Sequence, residues 1–224
     1  MNKVVVVVAG GNPPDPDALL RVPLGVPVIA ADKGLEHALS LGLDVKIVVG
    51  DFDSASPDTV ARAEAGGTTV ERHPAEKDAT DLELALDRAL SMAPGKIVVL
   101  GGEGGRLDHL FATLLLLGSN RYESVEIDAF VGSAHVYVVR EQRAIEGQPG
   151  DLVSLFALHG PAEGVRTEGL AYPLADETLE PGSSRGVSNL FTAGTARISV
   201  ERGVLLVIRP GADTGTREED AKWL

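Results

Sequence analysis

The chain has 224 residues, 44% of them apolar and 24% charged, enough for one large or two small domains with a substantial apolar core. Its 20 Lys and Arg against 33 Asp and Glu leave a formal net charge of −13, which repels polyanions and argues against nucleic acid or an anionic membrane as partner. The absence of cysteine excludes disulfides, thiolate chemistry and cysteine-ligated metals.

Val4–Ala9 reads as a buried first strand: the apolar run is too short for a signal sequence and passes directly into Gly10-Gly11-Asn12-Pro13-Pro14. With no apolar stretch of membrane-spanning length elsewhere, a cytoplasmic location is expected. Asp15-Pro16 supplies a cap and a first-turn proline for a helix. Val28–Ala31 and Lys46–Val49 follow as strands. Ser56-Pro57 starts a second helix that ends at Gly66-Gly67, and Thr68–Glu71 reads as a further strand. Thr80-Asp81-Leu82-Glu83 fits a capping box ahead of Leu84, Ala85, Leu86, Ala89 and Leu90. Lys96–Leu100 is a strand, and a helix from near Asp108 carries Leu110 to Leu117. Strands apolar on both faces and alternating with helices predict an α/β domain, its mainly parallel sheet flanked by helices.

From Ser133 the texture changes. His135–Val139, Leu152–Phe156, Ala196–Val200 and Val204–Ile208 read as strands joined by Gly- and Pro-containing turns, with no long helix between them. This predicts an α/β domain over residues 1–132 and an all-β sandwich or barrel over 133–224. The tail after Pro210, with Gly211, Asp213, Thr214 and Gly215, reads as mobile.

The polar motifs of the first half each follow a predicted strand: Gly10-Gly11-Asn12, Asp32-Lys33-Gly34, Gly50-Asp51-Phe52-Asp53-Ser54 and Gly101 to His109. In a parallel sheet these positions share the carboxyl edge, where open α/β folds bind ligands. Read alone, Asp-x-Asp is a turn. In extended backbone, however, Asp51 and Asp53 face one side and can address one cation, and magnesium binds through one or two carboxylates plus phosphate and water. Lys77-Asp78-Ala79-Thr80-Asp81 adds a lysine and two acids at a helix start; Asp81, one residue inside, is the better third ligand. The turn at Gly104 and Gly105 precedes Arg106 and Asp108. Glycine lets backbone N–H groups approach phosphate, and Arg106 can pair with phosphate in a bidentate manner. The segment matches neither a P-loop nor Gly-x-Gly-x-x-Gly, since Leu107 takes the last glycine position. Asp108 can cap the helix, accept a proton or bind metal. His109 reads as orienting a neighbour, with general acid/base work the less favoured role. Tyr172 offers a flat surface or packs as an ordinary tyrosine.

In this order, Ala31-Asp32-Lys33-Gly34, Gly50 to Ser54, Lys77 to Asp81, Gly105-Arg106-Leu107-Asp108-His109 and Gly186-Val187-Ser188-Asn189 resemble the thiamine pyrophosphokinase family over most of residues 1–210. The resemblance implies a domain binding ATP and Mg2+, then a β-sandwich that helps bind thiamine. It also implies a homodimer whose thiamine site joins one subunit's α/β domain to the other's β domain. Asp51, Asp53 and Asp81 would hold the metal, with Asp108 the further catalytic acid. Asp32, Lys33, Lys77, Gly104, Gly105 and Arg106 would surround ATP and its phosphates, and Asp108, Tyr172, Ser188 and Asn189 would face thiamine. The family often has glycine where Lys33 stands and asparagine where Thr113 stands. Its stacking tryptophan has Tyr172 in its place, the only tryptophan here being Trp223. The rival readings are another Asp-x-Asp enzyme, a glycosyltransferase or phosphohydrolase, and a non-catalytic nucleotide- or thiamine-sensing module.

Overall fold

The computed structural model describes residues 3–211, so the predicted mobile tail, apart from Gly211, and Trp223 lie outside the described residues. The chain divides into two compact units, in sequence between Gly132 and Ser133.

In the first unit, β1 (Val4–Val8), β2 (Val28–Ala31), β3 (Val45–Gly50), β4 (Thr69–Arg72), β5 (Lys96–Leu100) and β6 (Glu126–Val131) are all parallel, in the order β4-β3-β2-β1-β5-β6. Val5 to Val8 and Ile97 to Leu100 are buried, as strands covered on both faces must be. The cover includes α1 (Gly34–Ser40) and α3 (Asp81–Leu90), which pack on β1, β2 and β3. The remaining helices are α2 (Pro57–Ala65) and α4 (Leu107–Leu117). Because β1 lies between β2 and β5, the chain runs outward to β4 and then returns to the other side of β1. That reversal makes the loops after β1 and β5 neighbours, the crevice where such sheets take ligands.

Several details differ from expectation, α1 among them, where no helix was predicted. The helix predicted at Asp15-Pro16 is a single 3-10 stretch, Pro16–Arg21, in which only Ala18 is buried. Without an apolar stripe to bury, the cap and the proline start a turn that nothing extends. Strand β6 was not foreseen, because Glu126 and Asp128 interrupt its apolar pattern. Both acids pair with Lys96 on β5, at 2.8 and 2.5 Å.

The second unit contains β7 (Ala134–Val139), β8 (Gln142–Glu146), β9 (Leu152–Glu168), β10 (Ala175–Leu179), β11 (Asn189–Leu190), β12 (Thr195–Ser199) and β13 (Arg202–Arg209). Among the described residues these strands pair antiparallel, in the order β7-β13-β9-β12-β8, with β10 and β11 also on β9. Leu155, Val165, Phe191, Ile198 and Leu205 belong to its core. β9 runs 17 residues, far beyond the predicted Leu152–Phe156, because it serves as partner to four other strands. The unforeseen β8 and β10 are polar strands that each bury one residue, Ile145 and Leu179, so their sequences lack apolar alternation.

Candidate active site

The register Ala31↔Val49 sets the ends of β2 and β3 side by side. Beyond it, Asp32 turns into the left-handed region at φ 46°, donates its N–H to the Val49 carbonyl (2.9 Å) and accepts from Leu35 N (3.0 Å) at the start of α1. Gly50 must lack a side chain here, since a Cβ would press on the Asp32 backbone. The Asp32 carboxylate is buried. Ser54 Oγ donates to its Oδ2, while Oδ1 has no hydrogen-bond partner.

Asp51 and Asp53 also converge, by a different route from the extended backbone assumed from their spacing. Phe52 between them is left-handed, φ 61°, and its ring packs against the core under the Arg72 guanidinium, 5.8 Å from the centroid. Anchoring the ring inward reverses the chain. Asp51 Oδ1 then accepts from Asp53 N at 3.2 Å. Left-handed conformations at two non-glycine residues carry strain of the kind held at functional sites. Asp32, Asp51 and Asp53 each place a carboxylate oxygen within 4.8 Å of the others.

Asp81 stands beside this trio, with Lys77 in between. Lys77 Nζ donates to Asp51 Oδ2 at 2.7 Å and lies 3.1 Å from Asp81 Oδ1, an ion pair short of hydrogen-bond geometry. Thr80 caps α3 by accepting from Glu83 N (3.2 Å), which fixes Asp81 in the first turn. Lys77 is the main cause that holds the Asp51 carboxyl below its ordinary 3.8; burial opposes this and the Asp53 N–H assists it. Burial lifts the Asp81 carboxyl above 3.8 against the pull of Lys77, and the charges of Asp51 and Asp32 add to the lift. Burial also disfavours the Lys77 ammonium, but Asp51 and Asp81 together hold it above its ordinary 10.5. Asp78 is exposed.

Across the crevice, the loops after β1 and β5 touch backbone to backbone. Asn12 N donates to the Glu103 carbonyl at 2.5 Å, and a Cβ on Gly11 or Gly104 would collide with the opposite loop. His37, on α1, reaches up to donate Nε2–H to the Gly11 carbonyl at 2.9 Å. Glu36 accepts from Ser56 N at 2.8 Å and so satisfies the start of α2. Neither His37, Glu36 nor the role of Ser54 was expected; only their placement on α1 and after Asp53 could have hinted at them. Lys33 is half-buried near Gly10. Thr113 is buried beneath Gly102, so it supports the glycine loop from below.

Arg106 and Asp108 face water, 68% and 64% exposed, and pair at 2.6 Å. Asp108 forms no cap to α4; Arg106 holds its carboxyl down to about 2, so it is an ionised acceptor. His109 is exposed on the first turn of α4.

In the β unit, Asn189 is 4% exposed and its amide grips the neighbouring loop. Nδ2 donates to the Tyr172 carbonyl at 2.7 Å, while Oδ1 accepts from Tyr172 N (3.0 Å) and Leu190 N (2.9 Å). The Tyr172 side chain stays outside, the residue 52% exposed. Ser188 is left-handed, φ 57°, with its N–H donated to Ser154 Oγ at 3.1 Å. Gly186 lies so close to the Leu155 carbonyl that a side chain would not fit. The Gly-Val-Ser-Asn turn is therefore locked onto β9 and holds Tyr172 from behind.

The donor set suits a hard divalent cation: carboxylates only, one of them with a buried, unpartnered oxygen at Asp32. The glycine loops, Arg106 and the helix start at α4 suit the phosphates of the same ligand.

Comparison with known proteins agrees. The family model described as thiamin pyrophosphokinase, catalytic domain, matches residues 26–129, and the one described as thiamin pyrophosphokinase, vitamin B1 binding domain, matches 138–205. Thiamine pyrophosphokinase of Bacillus subtilis (strain 168) is 29% identical over 183 residues, 81% of this chain and 86% of that protein. The crystal structure of thiamine pyrophosphokinase from Bacillus subtilis superposes with a TM-score of 0.82 at 28% identity, covering 93% of this chain and 99% of that one. The yeast thiamin pyrophosphokinase structure, at 14% identity, shares the fold with a TM-score of 0.70, covering 93% and 86%. Two domain models in the right order, a matching fold along nearly the whole chain and an acidic cluster on the sheet's carboxyl edge lead to one assignment: this chain belongs to the thiamin pyrophosphokinase family.

Proposed function

We propose that this thiamine diphosphokinase transfers an intact pyrophosphoryl group from ATP to the hydroxyl of thiamine, using Mg2+ on Asp51, Asp53 and Asp81, with Asp32 beside them. The hydroxyl oxygen forms a bond to the β-phosphorus and gives up its proton to solvent, the bond from that phosphorus to the α–β bridging oxygen breaks, and AMP leaves with that oxygen. Bound Mg2+ supplies positive charge to the phosphate oxygens as the transfer proceeds. The convergence of Asp32, Asp51 and Asp53 carries the reading.

The residues divide the rest of the work. Gly104, Gly105 and Arg106 receive phosphate oxygens, with Lys33 and Lys77 as further cations. Asp108, ionised and paired with Arg106, accepts a hydrogen bond from the thiamine hydroxyl once Arg106 turns to phosphate. Tyr172 lies against the thiamine ring, Ser188 offers its hydroxyl, and Asn189 keeps the tyrosine loop in place. The negative chain charge suits the cationic thiazolium. On this reading residues 1–132 take ATP and metal, and 133–224 take thiamine, a division that the two family models support.

The reading includes a homodimer with shared sites. Its support is α4, where Leu107 (78% exposed) and Phe111 (60% exposed) lie one turn apart on an uncovered apolar face. Sedimentation at micromolar protein is expected to give twice the chain mass; a monomer removes the shared site. No helix among the described residues is long and apolar enough to cross a membrane; the reaction is placed in the cytoplasm as part of this proposal.

The deciding assay supplies purified protein with ATP, Mg2+ and thiamine and follows AMP, ADP and thiamine diphosphate. AMP and thiamine diphosphate are expected in equal amounts. ADP alone, or no turnover, overturns the proposal.

A further inference from the structure

Lys77 is placed unusually for a residue whose work is to meet a phosphate. Its ammonium bonds to Asp51 Oδ2 at 2.7 Å and stands 3.1 Å from Asp81 Oδ1. All three side chains are largely withdrawn from water. A divalent cation drawing on Asp51 and Asp81 competes for the same two carboxylates. Two cations cannot share them, since like charges about 4 Å apart repel strongly wherever water is scarce.

We infer that Lys77 is the resident counterion of the acidic site, which a divalent cation must displace before it can bind. The inference rests on the metal reading of Asp51, Asp53 and Asp81. Without a metal, Lys77 keeps the acids from repelling one another and holds the loop before α3 against the end of β3. When a cation enters, the ammonium loses its carboxylate partners and is freed to meet an anion. Metal alone therefore binds weakly, because it has to break a semi-buried ion pair. Metal arriving together with polyphosphate binds tightly, because the phosphate offers the lysine a new partner. The lysine thereby couples the two ligands, an energetic linkage that works in both directions.

Mn2+ alone, without nucleotide, is the probe, with its free concentration followed by electron paramagnetic resonance and its binding by calorimetry. Lys77→Met is expected to bind Mn2+ about tenfold more tightly than the unmodified protein, as the competing charge is gone. Lys77→Gln, which keeps a polar chain, gives the same comparison should the methionine variant not fold. Without metal, the Lys77 variants are expected to melt several degrees lower, and saturating Mn2+ to remove the difference. Asp53→Asn separates this inference from the reading beneath it. If Asp53→Asn weakens Mn2+ binding while both Lys77 variants bind no more tightly than the unmodified protein, the counterion role is overturned and the metal site stands. If Mn2+ binding ignores Asp53→Asn, both fall.

Discussion

The carboxyl edge of the α/β unit and the Tyr172 loop of the β unit are built on opposite principles. At the sheet edge, Asp32, Asp51 and Asp53 converge and Lys77 joins Asp51 to Asp81, Asp32 Oδ1 is buried without a hydrogen-bond partner, and Asp32 and Phe52 hold left-handed backbone. At the Tyr172 loop, Asn189 makes three hydrogen bonds and its carbonyl oxygen is fully used. An unsatisfied site is completed by what binds to it, whereas a satisfied one holds its shape beforehand. On the proposed assignment of the two ends, the contrast teaches that the acidic edge leaves its unmet needs for a metal and phosphate, while the Tyr172 loop is shaped before thiamine arrives.

The comparison breaks most readily at the acids. Asp53→Ala is expected to lower kcat/KM by at least about a hundredfold while the protein stays folded, because it removes a proposed metal ligand from an already strained turn. AMP release in the presence of thiamine measures the first, and thermal melting the second. Retained activity would sink the assignment.

Arg106→Ala comes next. Its guanidinium touches only Asp108 among the partners seen, so stability should not move, but kcat is expected to drop by about a hundredfold through the lost phosphate donor. An unchanged kcat with altered melting would mark the pair as merely structural.

Asn189→Ala tests the satisfied end. It strands the half-buried N–H and carbonyl of Tyr172, so the melting temperature should fall with a loss of about 1 kcal/mol. KM for thiamine should rise about tenfold with KM for ATP unchanged, since the tyrosine platform loosens rather than disappears. Equal effects on both substrates would mean that the loop does not serve thiamine.

The smallest effect is expected from Asp81→Asn in the absence of metal. The folded-state carboxyl sits above its ordinary value of 3.8, so the fold holds that proton more tightly than the unfolded chain does. Stability attached to Asp81 is therefore lost as pH rises from about 4 through the folded value, and the penalty persists above it. Asp81→Asn should then melt higher than the unmodified protein at neutral pH, and the difference should vanish in acid. A variant that melts lower at neutral pH would show that Lys77 outweighs burial at this position. Activity is lost in either case if Asp81 holds metal.

Much of this was legible in the chain. Val4 to Val8 and Lys96 to Leu100 announced themselves because strands buried on both faces need unbroken apolar runs. The Thr80 cap was visible from spacing, although Glu83 turns away to Arg121 at 3.2 Å instead of closing the box. Strands β8 and β10 were hidden, because an edge position asks for one inward residue and tolerates charge elsewhere. The two-residue spacing of Asp51 and Asp53 predicted that their carboxylates converge, and they do, but through a left-handed Phe52 and not through extended backbone.

By itself, then, the sequence determined the strands buried on both faces and the helices α2 and α3, the carboxyl edge on which the motifs gather and the family they resemble. These follow from patterns over a few residues, where periodicity and capping chemistry act. Only the tertiary structure decided that Asp32 joins Asp51 and Asp53, that Lys77 stands between Asp51 and Asp81, and that Asn189 grips the Tyr172 backbone. Each of these depends on strand register or loop approach between segments 17 or more residues apart, with Asp81 only four residues from Lys77 the exception. Side-chain partners at that distance are set by how the sheet pairs and packs, which no local pattern encodes.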